Sequence, residues 1–250
     1  MNQIMDISFS KQIKIKFALL VGLIIISLVI LNLRPRIEWP PRIPDTKRDI
    51  MKELKKETVS MFSLTVFLAI YCIFAVILLC VFLEHTTSVI KIVIETILMF
   101  FVVFFLLQIV VHATKLILAR PRPTFYNICK PDKLGYCDIS SASRIESIYN
   151  GRLSYPSGHV ATVAYFTLAS WYIISHNSIA KKISLHFGKA FMFIFYGLFL
   201  LLGCVAIVYV NSSRVSDHYH STADVICGFL LGSIAASFFA PFFYAIMMKY

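Results

Sequence analysis

The chain has 250 residues, 58% of them apolar and 15% charged, with a mean hydropathy of +0.78; a soluble domain carries about 45–50% apolar and about 25% charged residues. That balance excludes a disordered chain, a collagen-like chain and an ordinary soluble enzyme. The 24 Lys and Arg against 13 Asp and Glu leave a formal charge of +11. In a soluble protein this surplus would point to nucleic acid, but here the apolar excess comes in long blocks, so the basic residues belong against a membrane and no nucleic-acid partner is expected.

A helix needs about 20 mostly apolar residues to cross about 30 Å of hydrocarbon, and the chain offers six such blocks. The first, residues 17–33, follows Lys11, Lys14 and Lys16 as a signal peptide would. No small-x-small site comes after it, and Asn32-Leu33-Arg34-Pro35 closes it, so an uncleaved anchor is expected. The stretch 34–60 is polar and opens on Pro35, Pro40, Pro41 and Pro44. Its second half, 47–57, sets Ile50, Met51 and Leu54 among charges, which predicts a short amphipathic helix at the interface. Blocks two and three, 61–83 and 89–118, are joined tightly through Glu84-His85-Thr86-Thr87. The third contains Lys91 and Glu95, four apart and able to pair near one helix end. The longest loop, 119–158, leads to block four, 160–174. A short basic loop, 176–189, leads to block five, 190–210, and a His-rich loop, 211–222, leads to block six, 223–248. No internal repeat or low-complexity tract breaks this order. The expected fold is all-α: one polytopic membrane domain, residues 1–250, with six transmembrane helices. Loops alternate sides, so loops one–two, three–four and five–six share one face. The concentrated polar chemistry lies in the last two, which puts the active site at that face.

Three clusters carry the chemistry. Lys115 to Pro123 reads KLILARPRP, Pro156-Ser157-Gly158-His159 opens block four, and Ser213 to Asp224 reads SRVSDHYHSTAD. As K-x6-R-P, P-S-G-H and S-R-x5-H-x3-D, in that order, they resemble the signature of the type 2 phosphatidic acid phosphatase superfamily. Arg122-Pro-Thr-Phe-Tyr, Gly151-Arg152-Leu-Ser-Tyr-Pro and Ser213-Arg-Val-Ser-Asp are similar to its lipid phosphate phosphatase branch. Each motif alone is weak; three complete motifs in order on loops of one face are strong. The resemblance implies a hydrolase without metal or other cofactor. It would remove the phosphate monoester of phosphatidate, lysophosphatidate, sphingosine 1-phosphate or ceramide 1-phosphate through a phosphohistidine. Membrane lipids would be its surroundings, and a homo-oligomer is left open. A polyprenyl-diphosphate phosphatase of the same superfamily is the alternative, and a catalytically silent lipid-binding scaffold is the alternative of another class.

The residues read on their own lead to the same chemistry. A phosphoryl group in transfer spreads negative charge over three oxygens, so catalysis is mostly charge stabilisation and positioning. Lys115, Arg122 and Arg214 supply three cations, and guanidinium forks suit phosphate oxygens. Ser157 and Gly158 stand at a helix start, where free N–H groups and the helix dipole favour an anion. His220 and Asp224 are four apart; a carboxylate on one ring nitrogen leaves the other free to attack phosphorus. His220 is the expected nucleophile, Asp224 its orienting partner. His159 is expected to protonate the leaving alkoxide and then to activate water.

Taken singly, these residues have ordinary readings. Lys115, Arg120, Arg122 and Arg214 could anchor helix ends at the interface. Pro156-Ser157-Gly158 could simply start a helix, and His159, His218, His220 and Asp224 could hold a metal. Fixed spacings in three loops favour the joint reading, and no metal is expected. Arg120 and Arg122 both precede a proline, but only Arg122 lies seven positions after Lys115, so Arg122 is assigned to phosphate and Arg120 is a helper. In block six, Gly228 and Gly232 form G-x-x-x-G on the ridge that runs from His220 and Asp224, which predicts close docking on a neighbouring helix.

Counting Lys and Arg alone would put the catalytic face in the cytosol. The resemblance implies the lumen or exterior, in a plasma membrane or endomembrane, and Cys129 with Cys137 in loop three–four would suit an oxidising compartment if bonded.

Overall fold

Each of the six apolar blocks lies on a helix. The computed structural model describes residues 2–44, 48–53, 55–82 and 87–249. Nine helices follow among them: α1 (Asn2–Leu31), α2 (Met61–Phe82), α3 (Thr87–Leu118), α4 (Phe125–Cys129), α5 (Ala142–Gly151), α6 (Gly158–Ile174), α7 (Asn177–Phe187), α8 (Lys189–Ser216) and α9 (Thr222–Lys249). Their only β pairing is an isolated bridge between Arg42 and Tyr136. Four helices are long and apolar enough to cross a membrane, over Ser10–Leu31, Val89–Leu118, Lys189–Ser216 and Thr222–Lys249. Of the remaining two blocks, α2 has 22 apolar-rich residues, Met61–Phe82, and α6 has 17. The protein is of the all-α, polytopic membrane class.

Helix α6 is the axis of the bundle, with α9, α2, α8 and α3 around it. Small and branched residues at its centre, Val160, Ala161, Val163, Ala164 and Ala169, are fully buried. Phe100 and Phe104 pack against Tyr165, whose hydroxyl donates to the Phe100 carbonyl at 2.6 Å, and Phe239 packs on Phe100. Conversely, Phe193, Leu198, Leu202 and Val205 of α8 are exposed, as a helix face turned to lipid requires. The predicted G-x-x-x-G contact is present. A Cβ on Gly228 would run into the Ser157 carbonyl oxygen, and one on Gly232 into that of Ala161. Only glycine lets α9 lie this close to α6. At the far end of the bundle the buried Glu95 accepts from Lys16 and, at 2.6 Å, from Lys249, tying α1, α3 and α9 together.

Two loops differ from expectation. Among the described residues of 47–57 there is no amphipathic helix but a 3₁₀ turn, Arg48–Ile50, and extended chain. Its polar groups are spent elsewhere: the Lys52 amide donates to the Pro123 carbonyl at 2.9 Å, and that of Thr58 to Asp217 at 2.8 Å. Residues 47 and 54 lie outside the described residues, as does most of the joint at 84–87. The basic loop 176–189 folds largely into α7, with Ile179 and Ile183 buried one turn apart. Helix α8 continues six residues past the expected block, so Arg214 sits in its last turn.

The long loop is braced by a Cys129–Cys137 disulfide, with Cα atoms 4.6 Å apart. Stretch 34–60 lies across it as a strap. The Ile43 amide donates to the Gly135 carbonyl at 3.0 Å, that of Cys137 to the Pro41 carbonyl at 2.8 Å, and Arg152 to the Arg42 carbonyl at 2.6 Å.

Candidate active site

The end of α3, the start of α6 and the junction of α8 with α9 meet at one end of the bundle. Ala119 takes a left-handed conformation (φ 44°) that ends α3 and turns the chain back. The Arg122 amide then donates to the Gly151 carbonyl at 2.8 Å, and the Ser154 amide to the Arg120 carbonyl at 3.1 Å. After α8, His218 is also left-handed (φ 63°), and the amides of Tyr219 and His220 both donate to the Arg214 carbonyl, at 3.2 and 3.1 Å. That turn carries His220 back over the bundle. Ser221 and Asp224 close the start of α9 reciprocally: the Ser221 amide donates to Oδ2 of Asp224 at 2.8 Å, and the Asp224 amide to Oγ of Ser221 at 3.3 Å. This is a capping box.

His220 is 4% exposed. Its Nδ1 faces Oδ2 of Asp224 at 3.8 Å and has no hydrogen-bond partner among the described residues. Asp224 is held from three other sides: by the Ser154 hydroxyl at 2.7 Å, the Ser221 amide and Arg120 at 2.8 Å. Burial pushes the His220 imidazolium down to about 4, with Lys115 and Arg122 adding to the effect while Asp224 opposes it. His220 is therefore a neutral base at ordinary pH. His159, in the first turn of α6, lies within electrostatic reach of Arg214, His220, Lys115 and Arg122.

Lys115, Arg122 and Arg214 lie at this end of the bundle, and not all are free. Lys115 Nζ lies 3.9 Å from where a Cβ on Gly158 would stand, at the mouth of the α6 N-terminus. The Arg122 guanidinium lies 5.2 Å from the centre of the Tyr219 ring and that of Arg214 5.5 Å from it, so one ring holds both. Arg214 is fully buried and carries two acids: Glu57 at 2.6 Å and Asp217 at 3.3 Å. The Ser157 amide is spent on the Asp224 carbonyl at 2.9 Å, which leaves the Gly158 end of the cap and the Ser157 hydroxyl to face an anion. That hydroxyl makes no cap bond; it and Arg122 Nε are buried with no partner among the described residues. Arg120 does not join this group, since it pairs with Asp224.

No group of three His, Cys, Asp or Glu suited to a metal occurs among the described residues. His218 in particular has its Nδ1 on the Glu53 carbonyl, at 3.1 Å.

Residues 96–248, including all three motifs, match the model of the PAP2 superfamily. The chain belongs to the PAP2 superfamily. Among curated proteins it is similar to "Lipid phosphate phosphatase 1" of Arabidopsis thaliana, 28% identical over 205 residues, covering 80% of this chain and 59% of that protein. It is also similar to "Probable lipid phosphate phosphatase 4" of the same plant, 27% identical over 125 residues, covering 48% of this chain and 38% of that protein. The chain thus spans less than two thirds of the length of the PAP2 relatives it matches. No solved structure matches it.

Sequence reasoning passed over Glu57, Ser154 and Tyr219. Glu57 is one acid among several in a charged loop, and Tyr219 is an unassigned position inside a motif. Ser154 gives no signal of its own. Ser221-x-x-Asp224, by contrast, is a readable capping box.

Proposed function

We propose that this PAP2 protein hydrolyses the phosphate monoester of membrane lipids, with phosphatidate, lysophosphatidate, sphingosine 1-phosphate and ceramide 1-phosphate as the substrate class. The observation that carries this is a set of buried, unpartnered polar atoms, Arg122 Nε and the Ser157 hydroxyl, beside Lys115, two histidines and a helix N-terminus. Buried polar groups are ordinarily paired, and a phosphate would satisfy these. His220, neutral and oriented by Asp224, attacks phosphorus; the P–N bond forms and the ester P–O bond breaks. The leaving alkoxide takes a proton from His159. His159 then removes a proton from water, whose oxygen attacks phosphorus, and inorganic phosphate leaves with His220 neutral again. A charge-assisted network of Lys115, Arg122, Arg214 and the α6 N-terminus stabilises the equatorial oxygens.

The surroundings support a lipid. A polar hollow of about 920 Å³, lined by Lys52, Arg120, Arg152 and Tyr155 among others, opens beside the site on the strap side. An apolar groove of about 510 Å³ starts at Thr58 and runs between α2, α6 and α8 past Leu64, Phe67 and Leu202. Head group and tail have complementary places. The Cys129–Cys137 disulfide supports a lumenal or extracellular catalytic face. The test is phosphate release from a panel of these lipids, with a polyprenyl diphosphate included, by purified protein in detergent. His220→Ala should abolish release; release by that variant at the wild-type rate would overturn the mechanism.

A further inference from the structure

Glu57 has no part in the chemistry above, yet it reaches the centre of the site from the strap. One carboxylate oxygen, Oε1, accepts from Arg214 Nη1 at 2.6 Å and stands 3.4 Å from His159 Nε2. These two groups are the ones that, on the proposed reaction, must face the substrate: Arg214 a phosphoryl oxygen, His159 the ester oxygen it protonates. A negatively charged oxygen bound by both stands where an oxygen of the substrate has to stand. Arg214 has a second acid at 3.3 Å in Asp217, the Ser213 hydroxyl at 3.4 Å, and His159 at 3.5 Å. With two carboxylates on one guanidinium, the charge of this arm of the cradle is already cancelled, whereas Arg122 Nε beside it is bare.

Glu57 is also placed to leave. It lies outside any helix, in the chain just before α2, and is about one third exposed. The strap is pinned next to it by Thr58 amide and hydroxyl on Asp217 at 2.8 and 2.7 Å, by Lys55 Nζ on the Ser216 carbonyl at 3.1 Å and by buried Val59. We propose that Glu57 is a built-in phosphate mimic, which competes with the substrate phosphate for Arg214 and so sets the affinity of the site. It rests on the phosphatase reading and deepens it. An incoming phosphate displaces the carboxylate, and the strap releases or shifts by the reach of one side chain. Asp217 remains as the fixed partner that keeps Arg214 aligned when Glu57 is away.

The sign of the effect separates this from a positioning role. Were Glu57 needed to align Arg214, its loss would weaken anion binding; as a competitor, its loss strengthens it. The probe is inorganic orthovanadate, which mimics the trigonal phosphoryl group, titrated against the full chain in detergent by calorimetry. Glu57→Gln keeps a hydrogen-bond acceptor and removes the charge. It should bind vanadate about tenfold more tightly, the low end of what one hydrogen bond between charged groups is worth, and lower KM for a lipid phosphate in the same sense. Thr58→Val removes the strap's hydroxyl bond to Asp217 Oδ1 while the amide bond and Arg214 stay on Oδ2, and it should tighten vanadate binding by a smaller factor. Equal or weaker binding by Glu57→Gln, with a melting temperature like the wild type's, overturns the proposal. If Glu57→Gln does not fold, unchanged or weaker binding by Thr58→Val overturns it. If the wild type and both variants bind no vanadate at all, the phosphatase reading falls first and takes this inference with it.

Discussion

Replacing Gly232 by Ala changes one methyl group two turns from Asp224 and touches no polar side chain. The added Cβ would lie 2.9 Å from Ala164 Cβ and 3.1 Å from the Ala161 carbonyl carbon, and closer still to the carbonyl oxygen. Carbon atoms rest at about 3.5–4.0 Å, so α9 must retreat from α6 by somewhat under about 1 Å. Overpacking of this kind costs about 1–3 kcal/mol, against a gain of about 0.5–1 kcal/mol from removing a glycine inside a helix. The catalytic cost is larger. His159 rides on α6 and Asp224 on α9, and a misplacement of about 1 Å can reduce turnover about 100-fold. Gly197→Ala is the matched control: the same substitution in α8, with nothing within 4 Å of the new Cβ. Melting temperature and initial phosphate release, measured on both variants, should move oppositely: Gly197→Ala as active as wild type and no less stable, Gly232→Ala less stable and about 100-fold slower. Wild-type turnover with a raised melting temperature in Gly232→Ala would refute the idea that α6–α9 contact distance sets the site.

Three further outcomes follow. Arg122→Ala should lower kcat/KM about 10- to 100-fold through loss of a charged hydrogen bond to phosphate, while Arg120→Ala, 43% exposed and one of three partners of Asp224, should cost under about tenfold; the reverse order would exchange their roles. His220 titrates at about 4 in the fold against about 6.5 unfolded. The unfolded chain therefore takes up the proton first as pH falls, so this residue's contribution is intact above about 6.5 and lost between about 6.5 and 4, up to about 3 kcal/mol; His220→Asn should flatten that part of the melting-temperature profile, and parallel profiles would count against it. Cys129→Ala with Cys137→Ala opens a loop of sequence separation 8, worth about 2.5 kcal/mol on chain entropy, and should raise the protease sensitivity of loop three–four under non-reducing conditions; identical digestion of wild type and variant would refute it.

The helices were legible because burial in lipid or in a helix bundle demands long apolar runs, and the runs were there. The motif residues were legible for a different reason: fixed spacings at helix ends place groups regardless of the packing between them. What escaped was anything decided by contacts between segments distant in sequence. Residues 47–57 have an apolar pattern suited to a helix, yet Pro123, Asn127 and Ser216 engage that chain, and its described residues are a 3₁₀ turn and extended chain. Ser154 and Glu57 each sit about 70 or more positions from the residue they serve. The i, i+4 spacing of Lys91 and Glu95 shows only a local pairing, whereas Glu95 is also bound by Lys16 and Lys249, from helices at either end of the chain. The register of Arg120 and Arg122 shows both sides: the seven-residue interval picked the arginine beside Tyr219, while the partner of the other could be seen only in three dimensions.

The positive charge of the chain has two distinct destinations at this face. Lys115, Arg122 and Arg214 are drawn in among apolar helices, where an unpaired charge is costly; among the described residues Arg214 makes direct ion pairs, with Glu57 of the strap and with Asp217. Of the strap's described side chains, Arg34, Arg36, Arg42, Lys52, Lys55 and Lys56 are exposed. A cradle with all three cations neutralised would have no affinity for phosphate, and one with none neutralised would strain the fold when empty. On the proposal above, partial neutralisation by Glu57 meets both demands: Glu57 immediately follows Lys55 and Lys56, and Thr58 beside it is fastened to Asp217.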